Sequence, residues 1–255
     1  MVQSLRRKCF NKFVSFSGID GSGKSTQIEA LRLQVIEDGH SVEVVRFWDD
    51  VARLTRFRET VGHRIFKGEK GIGTPSVPIN RRDKNVRSTF MTGVRLILYF
   101  IDAVSLRFAV KRRLRSNKDL VIFDRYIYDE LANLTLGNPA MRAYVWIIMM
   151  LVPRPHISYC LDADPVRARA RKPEYPLEFL HINRQSYLRL NKLIGGITVV
   201  DQMTLLEAKH FIIKHSLEVL NLRIGDRKRV GARDPRDNGR ETVELDGANT
   251  RPAAL

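Results

Sequence analysis

Between a short apolar run, Phe13 to Ser17, and a longer periodic segment that opens at Lys24, the chain reads Gly18-Ile-Asp-Gly-Ser-Gly-Lys-Ser-Thr26. Gly18, four residues, then Gly23, Lys24 and Ser25 form the Walker A pattern, and a position between a strand and a helix is the context that pattern requires. Gly18, Gly21 and Gly23 let the backbone wrap so that several N–H groups converge, while the following helix aims the positive end of its dipole at the same point. Such a loop takes the phosphates of a nucleotide. Lys24 is expected to reach the β- and γ-phosphates and Ser25 to offer its hydroxyl to Mg²⁺, with Asp20, Ser22 and Thr26 completing the loop. For a mere glycine-rich turn, position, spacing and context would all have to coincide by chance.

The rest of the chain repeats the alternation that this loop presupposes. Phe13 to Ser17, Ser41 to Phe47, Leu120 to Phe123, Ile157 to Leu161 and Ile197 to Val200 read as short buried strands. Helical periodicity runs through Lys24 to Gly39, Ser88 to Arg115, about Ala140 to Leu151, Pro165 to Arg171, Leu177 to Leu193 and Leu205 to Leu222, with Gly39 as a helix stop. Strands alternating with helices predict βαβ units around a parallel sheet. The 255 residues accommodate one such domain, expected over 13–222. A basic leader at 1–12 and a charged tail at 223–255, nearly devoid of large apolar residues, are expected to be loose.

Two further constellations carry chemistry. Asp124, Arg125 and Tyr126 follow a strand directly, and in an open parallel sheet ligands sit at the carboxyl ends of strands. Asp124 there can hold Mg²⁺ through water or take a proton from a nucleophile, and Arg125 can grip a phosphate with its fork; taken alone, the pair also reads as a loop salt bridge. The basic run Arg167, Arg169, Arg171 and Lys172 follows a strand that ends in Asp162 and Asp164. As a mobile helical lid over about 166–180 it would close arginines on a transferring phosphoryl group. Arginines two apart cannot share one helical face, so one or two face inward, with Arg167 and Arg171 as the candidates. A solvated charged helix is the alternative for each.

With these residues in place, Phe16-Ser-Gly-Ile-Asp-Gly-Ser-Gly-Lys-Ser-Thr-Gln27, the Asp124-Arg125-Tyr126 triplet and Leu161-Asp-Ala-Asp-Pro165 resemble, in order, the P-loop, the Asp-Arg motif and the pre-lid strand of the thymidylate kinase family. The likeness extends over roughly residues 13 to 220. It implies a three-layer P-loop fold, with a five-stranded parallel sheet, helices on both faces and a lid. It also implies a phosphotransferase that moves the γ-phosphate of ATP to a nucleoside monophosphate with Mg²⁺. The resemblance further places Asp20 near the acceptor sugar, Arg125 on the acceptor phosphate and Phe100 on the acceptor base. A homodimer is implied by resemblance only.

The sequence departs from that family at three places. The acidic residue before the first P-loop glycine is Ser17 here. After the second strand the chain reads Arg46-Phe-Trp-Asp-Asp50 where the family has a proline and then an arginine for the acceptor phosphate, with Arg53 as a substitute candidate. Val104 stands where an arginine touching the base is expected.

The charge of +16 draws polyanions but does not say what reacts. No helix-turn-helix, zinc-ligand set or aromatic RNA-binding motif accompanies it, so a nucleic-acid-associated protein ranks below a kinase for a monophosphate, or for another small acceptor such as a nucleoside. The most apolar stretch, Ala143 to Val152, is far short of the ~20 residues of a membrane-spanning helix, and no apolar signal core follows Arg6, Arg7 and Lys8. Cys9 and Cys160 lie far apart, so a disulfide framework is not expected and a reducing cytoplasm is.

Overall fold

The computed structural model describes residues 12–52 and 89–222, with side chains from 92 onward in the second span. These residues form five parallel strands: β1 (Lys12–Gly18), β2 (Val42–Arg46), β3 (Leu120–Asp124), β4 (Ile157–Leu161) and β5 (Thr198–Val200), in the spatial order β2-β3-β1-β4-β5. The sequence reading placed all five to within about a residue. Lys12, expected as the end of the leader, is the first residue of β1; the rest of the leader, the expected tail and the arginines from Arg53 to Arg87 lie outside the described residues.

Strand alternation sorts the core into two layers. Phe13, Val45, Val121 and Phe123 point to one face of the sheet, where they meet α2 (Thr89–Arg113) and α4 (Pro139–Leu151). Val14, Phe16, Leu120, Ile122, Ile157 and Tyr159 point to the other, beneath α1 (Lys24–Glu37) and α7 (Leu205–Leu220). Helix α1 buries Lys24, Gln27, Ile28, Leu31 and Val35, the three-and-four spacing of a single helical face. Packing from both sides makes β3 and β4 continuous apolar runs, as expected of central strands in a parallel sheet.

Local chemistry sets the helix boundaries. Asn138 caps α4 with Pro139 in its first turn, and Asp164 caps α5 (Pro165–Arg171), accepting from the amides of Val166 and Arg167. At α7, Thr204 and Glu207 form a reciprocal capping box, which satisfies two otherwise orphaned donors. Two elements were absent from the sequence reading: a π-helical turn at Phe47–Val51, and α3 (Tyr128–Leu131), a single turn just beyond the Asp-Arg pair. The remaining helix, α6 (Leu177–Ile194), packs against α5 and α3. No helix among the described residues is long and apolar enough to cross a membrane.

Candidate functional site

The site assembles at the carboxyl edge of the sheet, where β1 and β3 run side by side. Phe16 pairs with Asp124 in register, and the Arg125 amide donates to the Phe16 carbonyl at 2.9 Å. Main-chain bonds therefore set the glycine-rich loop after β1 and the Asp-Arg pair after β3 at one height.

Within the loop, Lys24 folds back and donates from Nζ to the Gly18 and Ile19 carbonyls, both at 2.8 Å. It is 7% exposed. Burial, and then the charge of Arg125, lower its pKa from 10.5 to about 8, while Asp20, Asp129 and Asp124 pull the other way. Helix α1 follows Gly23 with no side-chain cap, in contrast to α4, α5 and α7, and it has no acidic residue in its first turn. Neither a capping side chain nor a first-turn carboxylate of α1 itself occupies its first amides, and the positive end of a helix dipole suits an anion such as phosphate.

Gly21 is where α5 comes down on the loop. A Cβ added there would lie 2.2 Å from the Ala168 carbonyl oxygen, and Gly21 has φ +78°; only glycine fits both the conformation and the approach. A Cβ at Gly23 would stand 3.5 Å from Arg171 Nη1. Arg167 and Arg171, one helical turn apart, line a cavity together with Ser22, Gln27, Gln202 and Met203. On the opposite side of the loop, Gly18, Asp20, Arg125, Asn133, Asn183 and Tyr187 line a second cavity.

Arg125 joins the two parts. Its Nη2 pairs with Asp20 in the loop, and its Nη1 lies 3.0 Å from Asp129 Oδ1 on α3. Burial disfavours the charged guanidinium, but Asp129 and then Asp20 outweigh it and hold the pKa above its ordinary value. Tyr187, half-buried and hydrogen-bonded to Asp129 at 2.8 Å, has its phenol pKa pushed well up, by loss of solvent around the hydroxyl first and then by Asp129. Asp124 interacts electrostatically with both Lys24 and Arg125.

The structure thus gathers Gly18, Asp20, Lys24, Asp124 and Arg125 at one point and sets Arg167 and Arg171 beside Ser22. Ser25 and Thr26 sit exposed on the first turn of α1. Phe100 lies on α2 at 46% exposure and lines neither cavity. Sequence reasoning missed Asp129, Tyr187 and the forked Arg184–Asp162 pair, whose Nη2–Oδ2 distance is 2.7 Å. The separation of Arg125 and Asp129 by one helical turn was the available signal for the first of these. Among the described residues no cluster of three or more His, Cys, Asp or Glu side chains is arranged to hold a metal ion.

No family model matches the chain. It is similar to a probable thymidylate kinase of Methanosphaera stadtmanae, 25% identical over 197 residues that span 74% of this chain and 88% of the relative. A probable thymidylate kinase of Pyrococcus abyssi is 26% identical over 229 residues, 80% of this chain and 97% of that one. A thymidylate kinase of Bifidobacterium longum is 27% identical over 188 residues, 70% and 82% of the two chains. Along most of its length the chain is distantly similar to proteins of that name, and this likeness supports a thymidylate kinase-like family.

Proposed function

We propose that this chain is an ATP-dependent nucleoside monophosphate kinase resembling thymidylate kinase. The observation that carries the proposal is the pairing of Phe16 with Asp124, which puts an uncapped helix start with a buried lysine beside a carboxylate and a guanidinium. A polyphosphate needs the first group, and an acceptor oxygen needs the second.

The residues suit Mg²⁺-ATP. The start of α1 has no side-chain cap or first-turn acid of its own, and Lys24, now bonded to loop carbonyls, can turn its ammonium to phosphate oxygens. Mg²⁺ keeps most of its waters and needs only one or two protein oxygens, so Ser25 and Asp124 would hold it without a dedicated acidic cluster. When bound, Mg²⁺-ATP supplies the γ-phosphoryl group, whose bond to the β-phosphate oxygen breaks as the bond to the acceptor oxygen forms. Lys24 carries charge on the β- and γ-phosphates, and Arg167 and Arg171 supply positive charge from the α5 side. Asp124 would hold the metal through water or take a proton from the acceptor, and Arg125 would hold the acceptor phosphate, with Asp20 toward its sugar.

A second reading, a kinase for a nucleoside or another uncharged acceptor, draws on one observation: the Arg125 fork is already shared between two carboxylates. Acceptor-dependent ADP release across a panel of monophosphates and nucleosides separates the two readings. Turnover with thymidylate is expected. Silence on every monophosphate, with turnover on a nucleoside, would replace the first reading by the second.

A further inference from the structure

The Asp129 side chain is 2% exposed, and burying a carboxylate is costly unless its oxygens are paired and bonded. Here four donors reach it. Ser17 Oγ, at the end of β1, lies 2.7 Å from Oδ2. Tyr187 OH, on α6, lies 2.8 Å from Oδ1, Arg125 Nη1 lies 3.0 Å from the same oxygen, and the Tyr126 amide lies 3.3 Å from Oδ2. One carboxylate thus ties the strand that leads into the glycine-rich loop, the segment after β3, and α6.

Arg125 needs such a tie. Its backbone sits at φ 69°, in the left-handed region that costs a non-glycine residue about 1 kcal/mol or more. The residue's own preferences therefore do not select this geometry, and the surroundings must. Its two carboxylate partners are not equivalent. The Asp20 side chain is 23% exposed, whereas that of Asp129 is sealed. Water or an incoming anion can replace the first partner; the second can be displaced only by opening the packing of α3 against β1 and α6.

We propose that Asp129 is the positioning residue for Arg125: it is the permanent partner that fixes one arm of the guanidinium, so that the other arm can pass from Asp20 to an oxygen of the acceptor. The proposal rests on the reading above only for the identity of that oxygen; the division into a fixed and an exchangeable arm rests on burial and bonding. Ser17, a small hydroxyl next to the first glycine, fits this arrangement because it donates to the carboxylate and adds no second negative charge.

Nitrogen-15 NMR of arginine side chains in the full chain reads the guanidinium directly, with the Arg125 signal assigned by its loss in Arg125→Lys. A fork gripped at Nη1 turns slowly and gives resolved Nη resonances. Because Asp20 holds the other arm, the resonances should stay resolved in Asp20→Asn and merge in Asp20→Asn/Asp129→Asn, while Mg²⁺-ATP affinity of Asp129→Asn stays within about threefold of wild type. The KM for thymidylate should rise, with kcat/KM falling about 10- to 100-fold, the range expected when a charged hydrogen bond is lost. Arg125 resonances that remain resolved in Asp20→Asn/Asp129→Asn would overturn the proposal, because a residue that only pins α3 to the sheet would leave them unchanged. If Asp129→Asn does not fold, Tyr187→Phe and Ser17→Ala each strip one donor from the carboxylate, and both should speed Arg125 exchange severalfold; unchanged exchange in both would refute the assignment. Wild-type protein that shows the NMR behaviour but phosphorylates no monophosphate would refute the monophosphate-kinase reading and leave the positioning role standing.

Discussion

Replacing Gly21 by alanine tests the contact between the glycine-rich loop and α5, and Gly39 provides its control. Both residues adopt positive φ, +78° and +85°, but a Cβ at Gly21 meets the Ala168 carbonyl oxygen at 2.2 Å and its carbon at 2.9 Å, whereas a Cβ at Gly39 meets nothing within 4 Å. Each substitution incurs the left-handed backbone cost of about 1–2 kcal/mol. Only Gly21→Ala must also push the backbone of α5 at Ala168, which is fully buried, and overpacking of this kind costs about 1–3 kcal/mol more. Gly39→Ala should therefore lose about 1–2 kcal/mol, and Gly21→Ala about 2–5 kcal/mol. Urea unfolding measures both, and thermal scans should follow at ~2–4 °C per kcal/mol for a domain of this size. Titration with Mg²⁺-ATP should show at least a tenfold loss of affinity in Gly21→Ala, as the displaced loop no longer converges its amides, and none in Gly39→Ala. Equal destabilisation of the two variants, with unchanged Mg²⁺-ATP affinity in the first, would refute the reasoning.

Three other outcomes are expected. Lys24→Ala should abolish acceptor-dependent ADP release while far-ultraviolet circular dichroism stays native; near-normal turnover would contradict the role given to the ammonium group. Asp124→Asn should keep Mg²⁺-ATP binding yet lose kcat by about 10²-fold, as for a lost base or metal contact, and an unchanged kcat would return Asp124 to a structural role. The pKa of Lys24, lowered by burial to about 8, gives a signed pH effect. From about pH 8 to 10.5 the unfolded chain holds a proton that the folded chain has released, so this residue makes stability rise with pH. Phosphate binding favours the ammonium form, so Mg²⁺-ATP should bind with proton uptake near pH 8 and weaken above it. Calorimetry in buffers of different ionisation enthalpy measures that uptake, and its absence would remove Lys24 from the phosphate site.

The strands and the glycine-rich loop were legible because their signals are local. Apolar runs bounded by polar residues gave β3 and β4, and the spacing from Gly18 to Ser25 gave the loop. What sequence reasoning missed depends on partners remote along the chain. Helix α3 has only four residues, too few to show a period, so Tyr128-Asp-Glu-Leu131 reads as loop. Asp129 acquires its role from Ser17 and Tyr187, 112 and 58 positions away. The arginines of α5 were seen as a basic run, but that Arg167 and Arg171 share a cavity with Ser22 follows from where Ala168 seats against Gly21. The expectation that no more than one or two arginines of the run would face inward rested on helical geometry, and Arg169 does not line that cavity.

The pairing of β1 with β3 limits how such a chain can change. Because the two functional corners hang from hydrogen-bonded neighbours, one residue added within β3 would turn its inward side chains outward and slide Asp124 about 3.3 Å past Phe16. Substitutions on the flanking helices carry no such penalty. Under the proposed function, a change of acceptor would therefore fall on the rim of the cavity, at side chains such as Asn133 and Asn183, and leave the spacing between the two corners untouched.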